Sequence, residues 1–288
     1  MNEHDAPRAA SSREPQSQQT RASIRNLYKQ VDHIALAVND IERAAEFYQR
    51  IFKLDLIMEL SYPPDGVHTN LVFSLGPENE LEFLGPLGNS GFVVDFLKRH
   101  GEGVHHLAIE VTDIDQATAG LEQNGIRIFG RMDFKGMRFS FMHPASTLRV
   151  GMQLMQRKPQ KPSQNLFIQG LDHVAIRASN PAAGRDFFLR RLDAEPIKTH
   201  HDLILNCTCE QFMVGRTRFD LLYDFAAASP AGVSEGLHHL AVKVDDLHEA
   251  VHHFKQARID PSARWSDENG VFLPPEKMYG CLWRVVQQ

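Results

Sequence analysis

Apolar and polar positions alternate in short runs along this chain, and one run returns four times. Asp32-His33-Ile34-Ala35-Leu36, His105-His106-Leu107-Ala108-Ile109, Asp172-His173-Val174-Ala175-Ile176 and His238-His239-Leu240-Ala241-Val242 each read polar, histidine, aliphatic, alanine, aliphatic. A period of two predicts a half-buried strand. Ile34 and Leu36 share one face. His33 and Ala35 share the other, which sets each histidine beside a side chain too small to cover it. A single strand histidine is an ordinary hydrogen-bonded residue; four in one phase call for a common cause.

After the first strand the period becomes helical. Ile41, Ala44, Ala45, Tyr48 and Ile51 form an apolar stripe, and Asn39 or Asp40 supplies the N-cap. Strands are expected around Asn70–Leu75 and Glu80–Leu84. The second unit repeats the order: the strand at His106, a cap at Asp113, a helix through Ala117, Leu121 and Ile126, and strands near Arg138–Met142 and Val150–Met155. The third and fourth units restart at His173 and His239. The pattern is βαβββ four times, an internal repeat, and each helix is the crossover that a parallel strand pair requires. The expected fold class is α+β, with four tandem modules in two domains, each a cupped mixed sheet. Residues 1–25, rich in Ser, Gln and Arg, read as a disordered tail. The first domain is expected over 26–156, a polar, proline-bearing linker over 157–168, and the second domain over 169–288.

If the last strand of each unit returns beside its first, a second position matters. Glu82, Gln153, Asp220 and Arg284 are polar residues inside otherwise apolar strands, each following its histidine at a near-constant interval. Taken singly they read as solvent-facing side chains of a half-exposed sheet. Locked to the histidines, they read as the other half of a metal site. Imidazole nitrogens with carboxylate or amide oxygens suit Zn, Fe(II), Mn, Co or Ni. Two facing units contribute two ligands each. For the first pair these are His33, Glu82, His106 and Gln153, with coordination positions left for water or substrate.

Composition narrows the class. The 288 residues are 42% hydrophobic and 23% charged, with a net charge of −5. This describes a globular protein and argues against nucleic acid as the main partner; the partner expected is a small-molecule substrate, and the state expected is monomer or homodimer. No apolar run is long enough to span a bilayer, and none follows the start methionine as in a secretion signal. Glu3, Asp5 and Glu14 argue against a transit peptide. Cys207, Cys209 and Cys281 are too few for a disulfide framework and lack CxxC spacing. A cytoplasmic location is the expectation.

The segments VDHIALAVND, LEFLGPLG, GEGVHHLAIEVTDID and FMHPAS, the last followed by a GMQL strand, resemble the vicinal oxygen chelate superfamily. This is the group of glyoxalase I, methylmalonyl-CoA epimerase, extradiol dioxygenases and bleomycin-resistance proteins. The resemblance covers about residues 30–156 and, more weakly, 170–287; the first half looks most like the epimerases. It places His33, Glu82 and His106 on three metal-ligand positions and Gln153 on the fourth, where epimerases usually carry glutamate. It also puts Asn70 where the epimerase has its catalytic glutamate, leaving His68 and Glu82 as candidate bases. Whether coenzyme A is involved stays open.

The second half departs further, because Arg284 stands at a ligand position and a guanidinium cannot bind a cation. The expectation is a degenerate site with an Asp220–Arg284 ion pair. The alternative is a His173, Asp220, His239 ligand set with Arg284 holding an anionic substrate. Units could also pair one with four and two with three, making His106, Gln153, His173 and Asp220 the complete set; pairing within each half is preferred. His248-Glu249-Ala250-Val251-His252 spells HExxH, but its histidines flank the apolar stripe Leu247, Val251 and Phe254, so a zinc protease is not expected. The function expected is a metal-dependent isomerase, epimerase or lyase that chelates two oxygens of a small carbonyl or acyl substrate. Rival readings are an Fe(II)-dependent extradiol-type dioxygenase and a ligand-binding protein without turnover, like the bleomycin-resistance proteins.

Overall fold

A computed structural model describes residues 23–61, 68–158, 165–226 and 235–288. Residues 1–22 of the expected tail and 159–164 of the expected linker lie outside the described residues. The end of that tail is anchored, contrary to the expectation: Ser23 Oγ donates to Asp193 at 2.8 Å, and Arg25 pairs with Asp193 at 3.3 Å.

The first unit comprises β1 (Tyr28–Ala37), α1 (Ile41–Phe52), β2 (Leu56–Ser61), β3 (His68–Ser74) and β4 (Glu80–Pro86). A helix the sequence pattern did not announce, α2 (Phe92–His100), links it to the second unit. That unit runs β5 (Gly103–Val111), α3 (Ile114–Gln123), β6 (Ile128–Phe134), β7 (Met137–Met142) and β8 (Met152–Gln156). The third runs β9 (Gly170–Arg177), α4 (Pro181–Arg185, continued by a π-helical stretch Asp186–Arg191), β10 (Glu195–Asp202), β11 (Cys207–Val214) and β12 (Thr217–Tyr223). The fourth has β13 (Gly236–Val244), α5 (Leu247–Gln256), β14 (Gly270–Leu273) and β15 (Trp283–Gln287), with the short 3-10 turn Ala263–Trp265 where the other units have a strand. The side chains of Asp40, Asp113, Asn180 and Asp246 each accept the backbone N–H three residues on, capping the four unit helices.

Units pair within each half. The first two form an eight-stranded sheet of order β2-β3-β4-β1-β5-β8-β7-β6, and the last two a seven-stranded sheet β10-β11-β12-β9-β13-β15-β14. In each unit the last strand lies parallel to the first. An antiparallel pair, β1 with β5 and β9 with β13, joins the units.

The two faces of these central strands have different fates. Ile34, Leu36, Val174 and Ile176 point into one core shared by both halves, together with Tyr48, Phe52, Phe254 and Trp283. Trp283 Nε1 donates to the Tyr48 hydroxyl at 3.0 Å, which in turn donates to the Met278 carbonyl at 2.9 Å. Gly215, at φ +60°, lets the β11–β12 turn lie on Lys29 of β1: a Cβ there would sit 2.2 Å from the Lys29 carbonyl oxygen. The other faces, with the histidines and alanines, line two cups.

Candidate metal centre

The strand register assembles the site. Ala35 is paired with Glu82 across β1–β4 and with His106 across β1–β5; Ala108 is paired with Gln153 and with His33. Partners in register share a face, so His33, Glu82, His106 and Gln153 all project into the first cup. The two alanines leave the floor between them open. The second cup repeats the register with Ala175 beside Asp220 and His239, and Ala241 beside Arg284 and His173.

In the first cup His33 Nε2 lies 3.3 Å from His106 Nε2 and 3.5 Å from Glu82 Oε2. Two donors about 2.1 Å from a tetrahedral ion stand about 3.4 Å apart, so these separations suit a shared cation. The donor atoms of His33, Glu82 and His106 all fall within 4.8 Å of one another. Gln153 is 4% exposed, and its Oε1 is buried without a hydrogen-bond partner among the described residues. An orphaned amide oxygen on a residue lining the same cavity as these three donors fits a fourth ligand. These residues could therefore hold a divalent metal ion.

Behind each imidazole stands the residue before it. Asp32 Oδ1 accepts from His33 Nδ1 at 2.8 Å, and His105 and His106 meet at Nδ1 across 2.9 Å. Fixing Nδ1 leaves Nε2 to face the cup. Asp32 and Glu80 are both paired with Arg157, at 2.8 and 2.9 Å. Asp32, His33 and Glu80 form a second close group of donors, and Arg157 takes up its two carboxylates. Asn70 donates to Glu82 Oε1. His68 lies in the cavity wall with its ring 4.6 Å from that of Phe92.

The charges follow from this packing. Burial, then the neighbouring His105 and His33, lower the pKa of His106 well below the usual range, which keeps it a neutral donor. Burial also works against the imidazolium of His33. The hydrogen bond that His33 donates to Asp32 and the charges of Glu82, Asp32 and Glu80 outweigh it and raise its pKa. Burial raises the pKa of Glu82 against the pull of His33 and Asn70.

The second cup is built alike and bound differently. His173 Nε2 is 3.0 Å from His239 Nε2, and Asp172 and His238 hold the two Nδ1 atoms at 2.6 and 2.7 Å. The Asp220–Arg284 ion pair expected from the sequence is not formed. Asp220 pairs instead with Arg218 at 3.1 Å, and Arg284 reaches Asp202 at 3.8 Å. His173 Nε2 also lies 3.7 Å from Asp220 Oδ2, but the donor atoms of His173, Asp220 and His239 do not all fall within 4.8 Å of one another. This cup is also filled, by Leu205, Cys207, Cys209, Leu222 and Phe272. The first contains a cavity of about 660 Å³. His248, Glu249 and His252 of the HExxH stretch are exposed on α5, and His252 takes a hydrogen bond from Gln256.

Sequence reasoning did not find the supporting residues Asp32, His105, Arg157 and Arg218. A signal for the first two was present: a polar residue precedes all four strand histidines.

Two family models match the chain, over residues 32–141 and 170–265, and both describe the Glyoxalase/Bleomycin resistance protein/Dioxygenase superfamily. Human mitochondrial methylmalonyl-CoA epimerase is 33% identical over 153 residues, covering 52% of this chain and 85% of the epimerase. The ethylmalonyl-CoA/methylmalonyl-CoA epimerase of Cereibacter sphaeroides is 32% identical over 119 residues, 40% of this chain and 87% of that protein. Among solved structures, a mutant of 4-hydroxymandelate synthase from Streptomyces coelicolor matches with a TM-score of 0.71 at 15% identity, covering 91% of this chain and 93% of that one. That last likeness is one of fold. The chain belongs to the glyoxalase/bleomycin resistance protein/dioxygenase superfamily.

Proposed function

We propose that the first cup is the active site of a metal-dependent enzyme that moves a proton on a small carbonyl or acyl substrate, as an isomerase, epimerase or lyase. One observation carries this reading: His33, Glu82 and His106 converge within 4.8 Å, and Gln153, with its orphaned Oε1, lines the same cavity. The similarity to two acyl-CoA epimerases supports it. A divalent ion bound by these four residues would act as a Lewis acid toward two substrate oxygens and offset the charge that develops as the adjacent carbon loses its proton.

The chain's own groups do the rest. Asp32 and His105 hold the imidazoles in place. Arg157 balances the carboxylates Asp32 and Glu80, so Glu82 remains the carboxylate turned toward the histidines. The proton needs a base facing the cavity, and Glu82 and His68 meet that condition from β4 and β3.

The test is metal content beside solvent exchange. His33→Ala and His106→Ala are expected to lose the metal in elemental analysis of protein purified without chelators; full metal content in both sinks the assignment. His68→Ala is expected to keep the metal while deuterium exchange into an acyl-thioester substrate slows by about 10²–10⁴-fold. If exchange persists at the original rate, Glu82 is the base. The donor set His33, His106 and Glu82 is also a 2-His-1-carboxylate triad, which favours Fe(II) oxygen chemistry as the second reading. Oxygen uptake that requires Fe(II) would select it.

A further inference from the structure

The first-cup cavity is walled by apolar groups far more than a metal site needs. Phe92, Phe129, Phe134, Phe139 and Phe141 supply five phenyl rings. Four methionines, among them Met58 and Met137, supply thioethers that pack well against ring edges. Part of this surface is open at the rim, where Phe129 is 50%, Met132 49% and Phe92 43% exposed. Apolar side chains gathered at a cavity mouth mark a surface that a ligand covers.

The charged groups in the wall point the same way. They are Glu80, Glu82, Asp133 and Arg157. Arg157 is engaged by Asp32 and Glu80, and Asp133 by Arg138 at 3.2 Å. Among the described wall residues, no arginine or lysine is left to receive a substrate carboxylate beyond the one that the metal would neutralise. At about 660 Å³ the cavity falls in the range of roughly 300–1,000 Å³ that holds drug-sized molecules, which leaves room for a ring beside the chelating oxygens.

We infer that the substrate carries an aryl group next to its two chelating oxygens and no second carboxylate. This inference rests on the proposed function, whose site it shares. The ring would stack edge-to-face among the phenylalanines, and the oxygens would face His33, Glu82, His106 and Gln153.

Calorimetry with three 2-oxo acids tests it: phenylpyruvate, pyruvate and 2-oxoglutarate, which share the same pair of oxygens. On the Co(II)-loaded protein, phenylpyruvate is expected to bind roughly tenfold to a hundredfold more tightly than pyruvate. 2-Oxoglutarate should bind no better than pyruvate. Met132→Glu, at an exposed rim position that leaves the core intact, should weaken phenylpyruvate at least about tenfold and leave pyruvate unchanged. Equal affinities for phenylpyruvate and pyruvate overturn the inference. So does a preference for 2-oxoglutarate, or no phenylpyruvate binding at millimolar concentration. Repeating the titrations after chelator treatment separates the two readings. A preference for phenylpyruvate that persists at unchanged affinity without metal keeps the aryl cavity and removes the metal-dependent function.

Discussion

At the scale of single residues, Asp32, His105, Asp172 and His238 share a property that strict alternation hides. Adjacent residues of a regular strand point to opposite faces, yet each of these four reaches the Nδ1 of the histidine that follows. The strand register explains how. Pairing jumps from Val31 to His33 opposite Ile109 and Ala108, and on β5 from His106 to Val104 opposite Ala35 and Leu36. The β9–β13 pair skips Asp172 and His238 in the same way. All four are the extra residue of a β-bulge, a device that re-aims a side chain. Removing such a support should loosen the histidine without removing a ligand. Asp32→Asn is expected to weaken metal affinity by about 10–100-fold, read by competition with a chromophoric chelator, while the fold persists. Unchanged affinity would show that Asp32 serves only its ion pair with Arg157. The sequence made the four histidines visible, but not their supports: a bulge is a fact of pairing between two strands and leaves no periodicity in either one.

At the scale of elements, the spacing of Glu82, Gln153, Asp220 and Arg284 was legible because a βαβββ unit must bring its last strand back beside its first. Which of the two cups could take a metal was only half legible. Arg284 pointed to the second cup, but the assignment of its partner was wrong. The position opposite the histidine on the returning strand decides more: Glu80 faces His33, and Arg218 faces His173. Arg218 sits two residues before Asp220 on the same face, and it ties up both Asp220 and Asp172. In the first cup the matching cation, Arg157, arrives from beyond β8 and engages Asp32 and Glu80, leaving Glu82 available. A linker residue reaching back into the site has no signature in the repeat. The comparison predicts that Arg218→Gln combined with Arg284→Gln lets the second cup bind a further equivalent of Zn or Co. Metal analysis of that variant in an H33A/H106A background isolates the effect. No bound metal there means that the filling by Leu205 and Leu222, rather than the arginines, closes the second cup.

At the scale of the whole molecule, one core joins the halves, so they should unfold together. Trp283 is fully buried against Tyr48 and Phe52, residues of the opposite half. Its truncation to Ala is expected to cost about 3–5 kcal/mol and to lower a single transition in calorimetry; two separated transitions would contradict the shared core. Acid tests the same unit. Burial lowers the pKa of His238 to about 3 and of His105 to about 4, and it sets His106 and His239 well below the usual value. In the unfolded chain these four take up protons near pH 6.5, whereas in the fold they stay neutral. Between pH 6.5 and about 4 the unfolded state therefore binds more protons, and stability falls as pH falls, by up to about 1.4 kcal/mol per pH unit for each group. His33 acts above this window: its raised pKa contributes stability that is fully present below pH 6.5 and is lost as pH rises, so it leaves the slope between 6.5 and 4 unchanged. Glu82, whose pKa burial raises, binds its proton earlier in the fold than in the unfolded chain and offsets part of that slope. The metal-free protein should thus lose melting temperature steadily from pH 6.5 to 4, and His238→Asn should flatten that slope. A melting temperature indifferent to pH in that window would mean that these imidazoles reach water in the native state, and that the packing around both histidine pairs is looser than their burial implies.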